Sequence, residues 1–150
     1  MSAIDVIPAA REHRAFVLDS FRECLGDLTG PHVWNQQAHV VELERDSRGR
    51  GNIIVATPLG HPETYLGWAA ECWGSLVFAY VPQRLRRLGI ARQMAAALFA
   101  GGPVRLVYWT DAAEEIREHG FPLVHDWREF ARRQRFAERT PRPQHTERAA

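Results

Sequence analysis

Hydrophobic positions along the chain follow a helical period in some segments and a strand pattern in others. Between residues 9 and 25, apolar side chains such as Phe16, Phe21 and Leu25 recur every three or four positions, which predicts an amphipathic helix ended by Gly26. Runs rich in β-branched and aromatic residues between turn residues predict strands. The pattern predicts strands at 3–8, 52–57, 64–72, 75–81, 104–110 and 121–124, and helices at 9–25, 32–45, 89–100 and 111–120.

Two connections in this order determine the expected architecture. Trp73-Gly74 is short enough to join its flanking strands as a hairpin, which indicates an antiparallel meander. The helix at 89–100 lies between the strands at 75–81 and 104–110 and requires a β-α-β crossover. We therefore expect one α/β (α+β) domain with a mixed, mostly antiparallel central sheet flanked by helices.

Composition narrows the class of protein. The 150 residues are 45% hydrophobic and 25% charged, which is typical of one globular domain. No apolar run approaches the roughly 18 residues of a membrane span, and the first residues do not resemble a signal peptide. Cys24 and Cys72 fit neither a disulfide framework nor a metal-ligand spacing. We expect a cytoplasmic protein with no metal and no membrane contact. The sequence leaves the oligomeric state open.

The charge is unevenly distributed. All 19 basic residues are Arg, which excludes Schiff-base chemistry, a Lys general base and a phosphate-binding Lys. Residues 128–150 hold seven Arg and three Glu, a net charge of +4, whereas residues 1–127 have a net charge of −3. We expect a domain at 1–127 and an Arg-rich, partly disordered helix and tail at 128–150. This segment either packs on the domain through Phe130 and Phe136, the favoured interpretation, or binds nucleic acid or an acidic partner.

The segment from Tyr80 to Arg92 carries the most chemical information. It runs from a strand end into a helix start, where Gly89 and Ala91 leave the backbone accessible. The first N–H groups of a helix have no intrahelical partner and carry the positive end of its dipole, so they favour an anion such as a phosphate. Neighbouring arginines add positive charge: Arg84, Arg86, Arg87 and Arg92. The alternative is a plain strand–turn–helix with a solvated arginine face.

The spacing Arg86-x-x-Gly89-x-Ala91 after the strand that ends at Val81 resembles the Arg/Gln-x-x-Gly-x-Gly/Ala motif of the GNAT superfamily of N-acetyltransferases. The predicted order of elements is similar to that family over residues 3 to 125. The segment Ile116-Arg-Glu-His-Gly120-Phe121 is also similar to a helix end of the family, which commonly reads Tyr-x-x-x-Gly-Phe.

The resemblance implies a site for acetyl-CoA in a cleft where the strands at 75–81 and 104–110 splay apart. Backbone groups of Ala79, Tyr80 and Val81 would pair with the pantetheine arm, and His32 and Trp34 would lie in the connection that shapes the acceptor pocket. An amine of an unidentified acceptor would attack the thioester directly. The pyrophosphate would be held by the segment Arg86, Arg87, Leu88, Gly89, Ile90, Ala91 and Arg92.

The sequence departs from the family at the catalytic positions. The Tyr that commonly protonates the departing thiolate aligns with Ile116, and the strand before the motif contains no carboxylate. Substitutes in the sequence are Glu71, Tyr80, Tyr108 and His119. Each also has a purely structural interpretation. Glu71 fits a solvated charge at a strand end, Tyr108 fits a core aromatic residue, and His119 fits a cation at a helix end.

Three functional hypotheses therefore stay open. The first is acetyl transfer from acetyl-CoA to an amine. The second is a catalytically weak or inactive GNAT-fold binding or structural protein, because the usual catalytic groups are missing. Such a protein would be of phage origin if the likeness of Phe16, Ser20 and Phe21 in the opening helix, and of the strand end Tyr80-Val81, to small GNAT-like proteins of tailed phages holds. The third is nucleic-acid binding through the Arg-rich tail.

Overall fold

The computed structural model of the chain describes residues 3–24, 42–45, 48, 51–100, 102–108 and 111–139, excluding the side chains of residues 111, 112, 137 and 138. None of the helices in these ranges has the length and apolar content needed to span a membrane.

The described residues form six strands and four longer helices, which follow the predicted order. The strands are β1 Ile4–Pro8, β2 Gly51–Pro58, β3 Gly67–Cys72, β4 Ser75–Tyr80, β5 Val104–Leu106 and β6 Leu123–His125. The helices are α1 Arg14–Cys24, α2 Ile90–Phe99, α3 Asp111–Glu118 and α4 Trp127–Arg139. Short 3-10 turns at Arg11–His13 and Gln83–Leu85 precede α1 and α2. Of the predicted helix at 32–45, the described part, residues 42–45, is helical.

The strands form one sheet in chain order, from β1 to β6. Neighbouring strands from β1 to β4 are antiparallel, whereas β4–β5 and β5–β6 are parallel. This confirms the mixed, mostly antiparallel sheet with flanking helices in a single domain. The sequence indicated one β-α-β crossover, and the structure has a second, in which α3 connects β5 to β6.

Alternating strand residues build an apolar core on each face of the sheet. On one face, Trp68 is fully buried and its ring lies 6.2 Å from that of Phe21 on α1. The Trp68 indole N–H donates to Ser20 Oγ at 2.7 Å, which satisfies its buried donor. On the other face, Ile90 and Met94 of α2 pack on a second cluster. Because side chains alternate along a strand, both helices can cover one continuous sheet.

The Arg-rich helix α4 packs on the domain. Phe130 lies 6.1 Å, between ring centroids, from Tyr108, which is buried in the core. Arg133 is 1% exposed and its Nε donates to Glu129 Oε1 at 2.9 Å. Arg132 donates to the buried Glu42 at 2.6 Å. The boundary predicted between residues 127 and 128 falls at the first turn of this helix, and residues 140–150 lie outside the described residues.

Asp126 connects the start of α4 to the sheet. Its carboxylate accepts hydrogen bonds from Ser75 Oγ at 2.5 Å and from the Glu129 N–H at 3.1 Å, the second being an N-cap bond. The hydrogen bond from Ser75 is the main factor that lowers the pKa of Asp126. The Glu129 N–H and the charge of Arg105 lower it further, against burial.

We expect Asp126→Ala to lower the free energy of unfolding by about 1–2 kcal/mol at pH 7, because it removes this N-cap. A carboxylate whose pKa is depressed by folding stabilises the fold above its unfolded pKa of about 3.9, and the stabilisation is lost as pH falls through the folded pKa. Urea denaturation measures the free energy of unfolding at each pH. The difference in this free energy between wild type and Asp126→Ala should therefore disappear only below about pH 4. Asp126→Asn, which keeps an acceptor, should retain more stability; equal stability of all three proteins at pH 7 would contradict this role.

Candidate functional site

Strands β4 and β5 separate soon after they meet. Their register consists of the single pair Leu76 and Leu106, with a hydrogen bond from the Val107 N–H to the Leu76 carbonyl at 2.9 Å. Strand β5 ends at Leu106, whereas β4 continues to Tyr80 beside β3. Within the described residues, the last part of β4 therefore pairs on one edge only. Backbone N–H and C=O groups on an open strand edge can hydrogen-bond an extended ligand.

A β-bulge lies at the point of separation. Ala70 of β3 pairs with Phe78, but the next residue, Glu71, pairs with Leu76. Val77 is therefore the extra residue, and Val77 and Phe78 both join the core cluster on the α1 face. A bulge bends its strand and increases the local twist, which favours the departure of β4 from β5.

The connection from β4 to α2 places an exposed glycine at a helix start. Gly89 is the N-cap residue of α2 and has φ +80°, and no side chain at this position caps the first N–H groups of the helix. A Cβ added at Gly89 would meet nothing within 4 Å, so the space beside this turn is open. The N–H groups of Ile90, Ala91 and Arg92 lack intrahelical acceptors by their position in the first turn. An anion placed there would meet these donors and the positive end of the helix dipole.

Positive side chains surround this turn. Arg84, Arg86, Arg87 and Arg92 are all exposed. Arg86 Nε donates to the Val81 carbonyl at 3.2 Å, which closes the loop onto the end of β4. Arg87 lies 3.8 Å from Glu115 of α3, but both side chains are largely exposed, and such pairs contribute little. The turn keeps a positive potential suited to a phosphate.

Among known proteins, similarity to this chain is found in solved structures only. No family profile and no curated protein sequence matches this chain. A solved structure from Pyrococcus furiosus, described as a candidate acetyl transferase, superposes with a TM-score of 0.52 over 79% of this chain and 93% of that one, at 16% identity. The present chain has a GNAT-like fold.

Two further solved structures are similar at lower TM-scores. An acetyltransferase of the GNAT family from Staphylococcus aureus Mu50 gives 0.47, at 16% identity over 64% of this chain. This chain covers 63% of that protein's length. An aminoglycoside N-acetyltransferase in complex with a bisubstrate CoA analogue gives 0.43, at 18% identity over 91% of this chain and 88% of that one.

Among the candidate catalytic side chains, Tyr80 lies at the open end of β4 in this GNAT-like fold. It pairs with Trp68 across the sheet, and its ring is 6.0 Å from that of Phe16 on α1. Burial raises the pKa of Tyr80, and the charges of Cys24 and Glu23 raise it further against the opposing charge of Arg86. The phenol is therefore protonated at neutral pH and suited to donate a proton rather than accept one.

The other three candidates lie elsewhere. Tyr108 is 2% exposed and packs between Phe21 and Phe130 in the core. Glu71 accepts hydrogen bonds from the Gly74 N–H at 2.6 Å and from Asn52 at 3.1 Å, in the β3–β4 hairpin at the opposite end of β4. His119 is exposed beyond the end of α3, where its Nδ1–H donates to the Glu115 carbonyl at 2.7 Å. The structure does not bring these three side chains together with Tyr80.

An aromatic group beside Tyr80 was not identified from the sequence. The ring of Tyr65 lies 5.0 Å from that of His13 and 5.2 Å from that of Phe16, which in turn contacts Tyr80. His13 is buried, and its Nδ1 accepts the Ala10 N–H at 2.8 Å, so Nε2 carries the proton of the neutral ring. Residues 13 and 16 are three positions apart on one helical segment, but no spacing signal connects them to residues 65 and 80, which tertiary packing brings beside them.

Two sequence-level expectations concern the surroundings of the site. Ile116, at the position of the family Tyr, is 44% exposed on α3, the helix whose Glu115 lies near Arg87. His32 and Trp34, expected to shape an acceptor pocket, lie outside the described residues. Among the described residues, no group of three or more His, Cys, Asp or Glu side chains is placed to hold a metal ion.

Proposed function

We propose that this protein transfers an acetyl group from acetyl-CoA to an amine of an acceptor molecule. The observation that carries the proposal is the open edge of β4, followed after one 3-10 turn by the Gly89 turn, where uncapped helix N–H groups occur with four exposed arginines. The strand edge suits an extended amide chain, and the turn suits a diphosphate. Acetyl-CoA contains both groups in one molecule.

The open space and the hydrogen-bond donors of the site support the fit to acetyl-CoA. Backbone groups of Ala79, Tyr80 and Val81 would hold the pantetheine arm along the β4 edge. Amides of the turn at residues 86–92 would hold the pyrophosphate, with Arg87 and Arg92 adding charge-assisted hydrogen bonds. The Gly89 turn offers open space rather than a side chain at this point, so a phosphate can approach the backbone.

The chain would contribute proton transfer and orientation to the reaction. Bound acetyl-CoA supplies a thioester, whose carbonyl carbon is attacked by the neutral amine while the sulfur leaves as a thiolate. Tyr80, kept protonated by its raised pKa, would donate its proton to this sulfur. Strand β4 contains no carboxylate to act as a base, so we propose that the amine loses its proton to solvent. Turnover should then rise with pH toward the pKa of the amine.

Release of free CoA thiol in the presence of amines tests the proposal. Purified protein is mixed with acetyl-CoA and a panel of small amines, aminoglycosides and peptides, and thiol release is followed with and without each acceptor. We expect acceptor-dependent release that saturates with acetyl-CoA. Saturable acetyl-CoA binding without thiol release for any acceptor would instead support the second candidate, a GNAT-fold binding protein with little or no catalysis.

Ile116 is the observation that favours this second candidate, because an aliphatic side chain cannot donate a proton. We expect Ile116→Tyr to raise turnover by up to about 100-fold if proton donation limits the wild type, which is the low end of the contribution of a general acid. Ile116→Phe is the matched control, since it adds the ring without the hydroxyl. An equal increase for both variants would show that packing, rather than proton donation, is responsible.

A further inference from the structure

The exposed face of α4 carries a regular row of arginines that the proposed acyl transfer does not use. Arg128, Arg135 and Arg139 are exposed, and the side chain of Arg132 is 41% exposed. Their positions follow the spacing i, i+4, i+7 and i+11, which places them on one side of a helix. The row spans about 16 Å at 1.5 Å per residue. We call these four residues the α4 arginine row.

The opposite side of α4 fixes the helix on the domain. Phe130 packs against the core, and Arg133 is buried with its Nε on Glu129. Burial raises the pKa of Glu129, but hydrogen bonds from Arg132 and the charge of Arg133 lower it more. Glu129 therefore stays ionised at neutral pH and holds both arginines. The exposed members of the row, Arg128, Arg135 and Arg139, lie outside this anchoring network.

Positive charge on this surface continues beyond α4. The guanidinium carbon of Arg45 lies 4.9 Å above the ring of Phe136, in a cation–π contact. This contact places a further guanidinium next to the helix. Three described carboxylates near the helix have partners of their own. Glu42 and Glu129 bind Arg132, and Glu129 also binds Arg133. Asp126 accepts hydrogen bonds from Ser75 and the Glu129 N–H. Residues 1–127 carry a net charge of −3, so the positive charge is concentrated at the C-terminal helix.

We propose that Arg128, Arg135 and Arg139 of the α4 arginine row, together with Arg45, bind the phosphate backbone of nucleic acid. A repeating row of guanidinium groups matches a polymer whose charge also repeats, and each guanidinium can bind a phosphate through two hydrogen bonds. Trp127 lies at the start of α4, where its ring contacts that of His125 at 3.9 Å between centroids. The residue is still 68% exposed, so the uncovered part of the ring is available to stack on an unpaired base. Contacts to phosphates carry no sequence information, so this binding is independent of base sequence.

The same surface is a poor match for a membrane. An interfacial helix inserts an apolar face between lipid headgroups. In α4 the apolar side chains Phe130 and Phe136 are turned toward the protein and are partly buried. Apart from Trp127, the exposed side offers arginines rather than apolar residues. The row therefore favours a charged polymer over a lipid surface.

Fluorescence anisotropy with labelled 20-nucleotide single strands and duplexes tests the proposal on the full chain. We expect binding at 50 mM salt that weakens between 50 and 200 mM, with a slope of log affinity against log salt of about −2 to −4 for three or four phosphate contacts. Arg135→Glu/Arg139→Glu should weaken binding by about tenfold or more and reduce the slope by about 2. Trp127→Ala should weaken single-strand binding more than duplex binding.

The control is Arg11→Glu/Arg22→Glu, which changes the net charge equally at exposed positions of the first helical segment. It should retain most of the affinity, and thermal melting should show each variant folded. No binding at 50 mM salt, or an equal loss in both double variants, would overturn the proposal. Tighter binding to poly-glutamate or to phosphatidylserine vesicles than to the oligonucleotides would overturn the choice of nucleic acid.

Discussion

Gly89→Glu should weaken acetyl-CoA binding by about 100-fold or more, which corresponds to about 2.7 kcal/mol. The substitution places a carboxylate in the open space beside the first N–H groups of α2, where we propose that the pyrophosphate lies. The carboxylate would repel the phosphates and occupy the same donors, which also favour an anionic side chain. The dissociation constant, measured by calorimetry for wild type and variant, checks this expectation.

The matched control is Gly102→Glu, in the connection that follows the same helix. Gly102 has φ +95°, and an added Cβ there would also meet nothing within 4 Å. Both substitutions therefore introduce the same charge and a comparable backbone strain of about 1–2 kcal/mol, but at opposite ends of α2. Gly102→Glu should bind acetyl-CoA like wild type. Unchanged affinity in a folded Gly89→Glu variant would remove the Gly89 turn from the site.

Tyr80→Phe should lower turnover by about 100-fold or more, because a general acid typically contributes 10²- to 10⁴-fold. The phenol is the candidate proton donor at the open end of β4, and its ring packing against Phe16 should survive the loss of the hydroxyl. The affinity for acetyl-CoA should change little, since the backbone of β4 provides the contacts in this proposal. Steady-state kinetics, with turnover and KM measured separately, distinguishes the two effects.

The control for this second variant is Tyr108→Phe, which removes a hydroxyl from the buried aromatic core. It should alter stability rather than turnover per folded molecule. The pKa of Tyr80 is raised above its ordinary value of about 10, so Tyr80 should not lower wild-type activity between pH 7 and 9. Equal turnover of Tyr80→Phe and wild type across this range would show that the proton comes from another donor.

The turn at which we propose phosphate binding could be located from the sequence because its signals are local. A β-rich run, a segment with four arginines and a glycine at the start of a helical pattern together define Gly89 as the turn. The positive φ of Gly89 and its uncapped N–H groups agree with that interpretation.

The way in which β4 separates from β5 could not be predicted from the residues alone. The apolar run of β4 lacks alternation, so the sequence did not show that Val77 is a bulge residue, with Val77 and Phe78 on one face. Within the described part of the strand predicted at 104–110, strand geometry ends at Leu106, and Val107 and Tyr108 are buried in the core. Local β-propensity does not indicate where this strand ends.

The sequence contains enough local information to predict the positions of Glu71 and of the Glu129–Arg133 pair. The two-residue connection Trp73-Gly74 implies that Glu71 lies at the hairpin end of β4, opposite Tyr80, where it binds the Gly74 N–H. Glu129 lies four residues before Arg133, the spacing of a helical ion pair, and the two side chains form that pair within α4. The contact of α4 with Glu42 depends on long-range packing and has no local signal.

Calorimetric titration of the wild-type protein with acetyl-CoA tests the central claim most directly, because every proposed catalytic step requires this binding. We expect one saturable site per chain, with a dissociation constant between about 1 μM and 1 mM, the usual range for enzyme substrates. Free CoA should compete for the site, and added salt should weaken binding, since arginines and helix N–H groups hold the diphosphate. The account would be contradicted if a folded protein showed no saturable binding at acetyl-CoA concentrations several times the upper end of this range of dissociation constants.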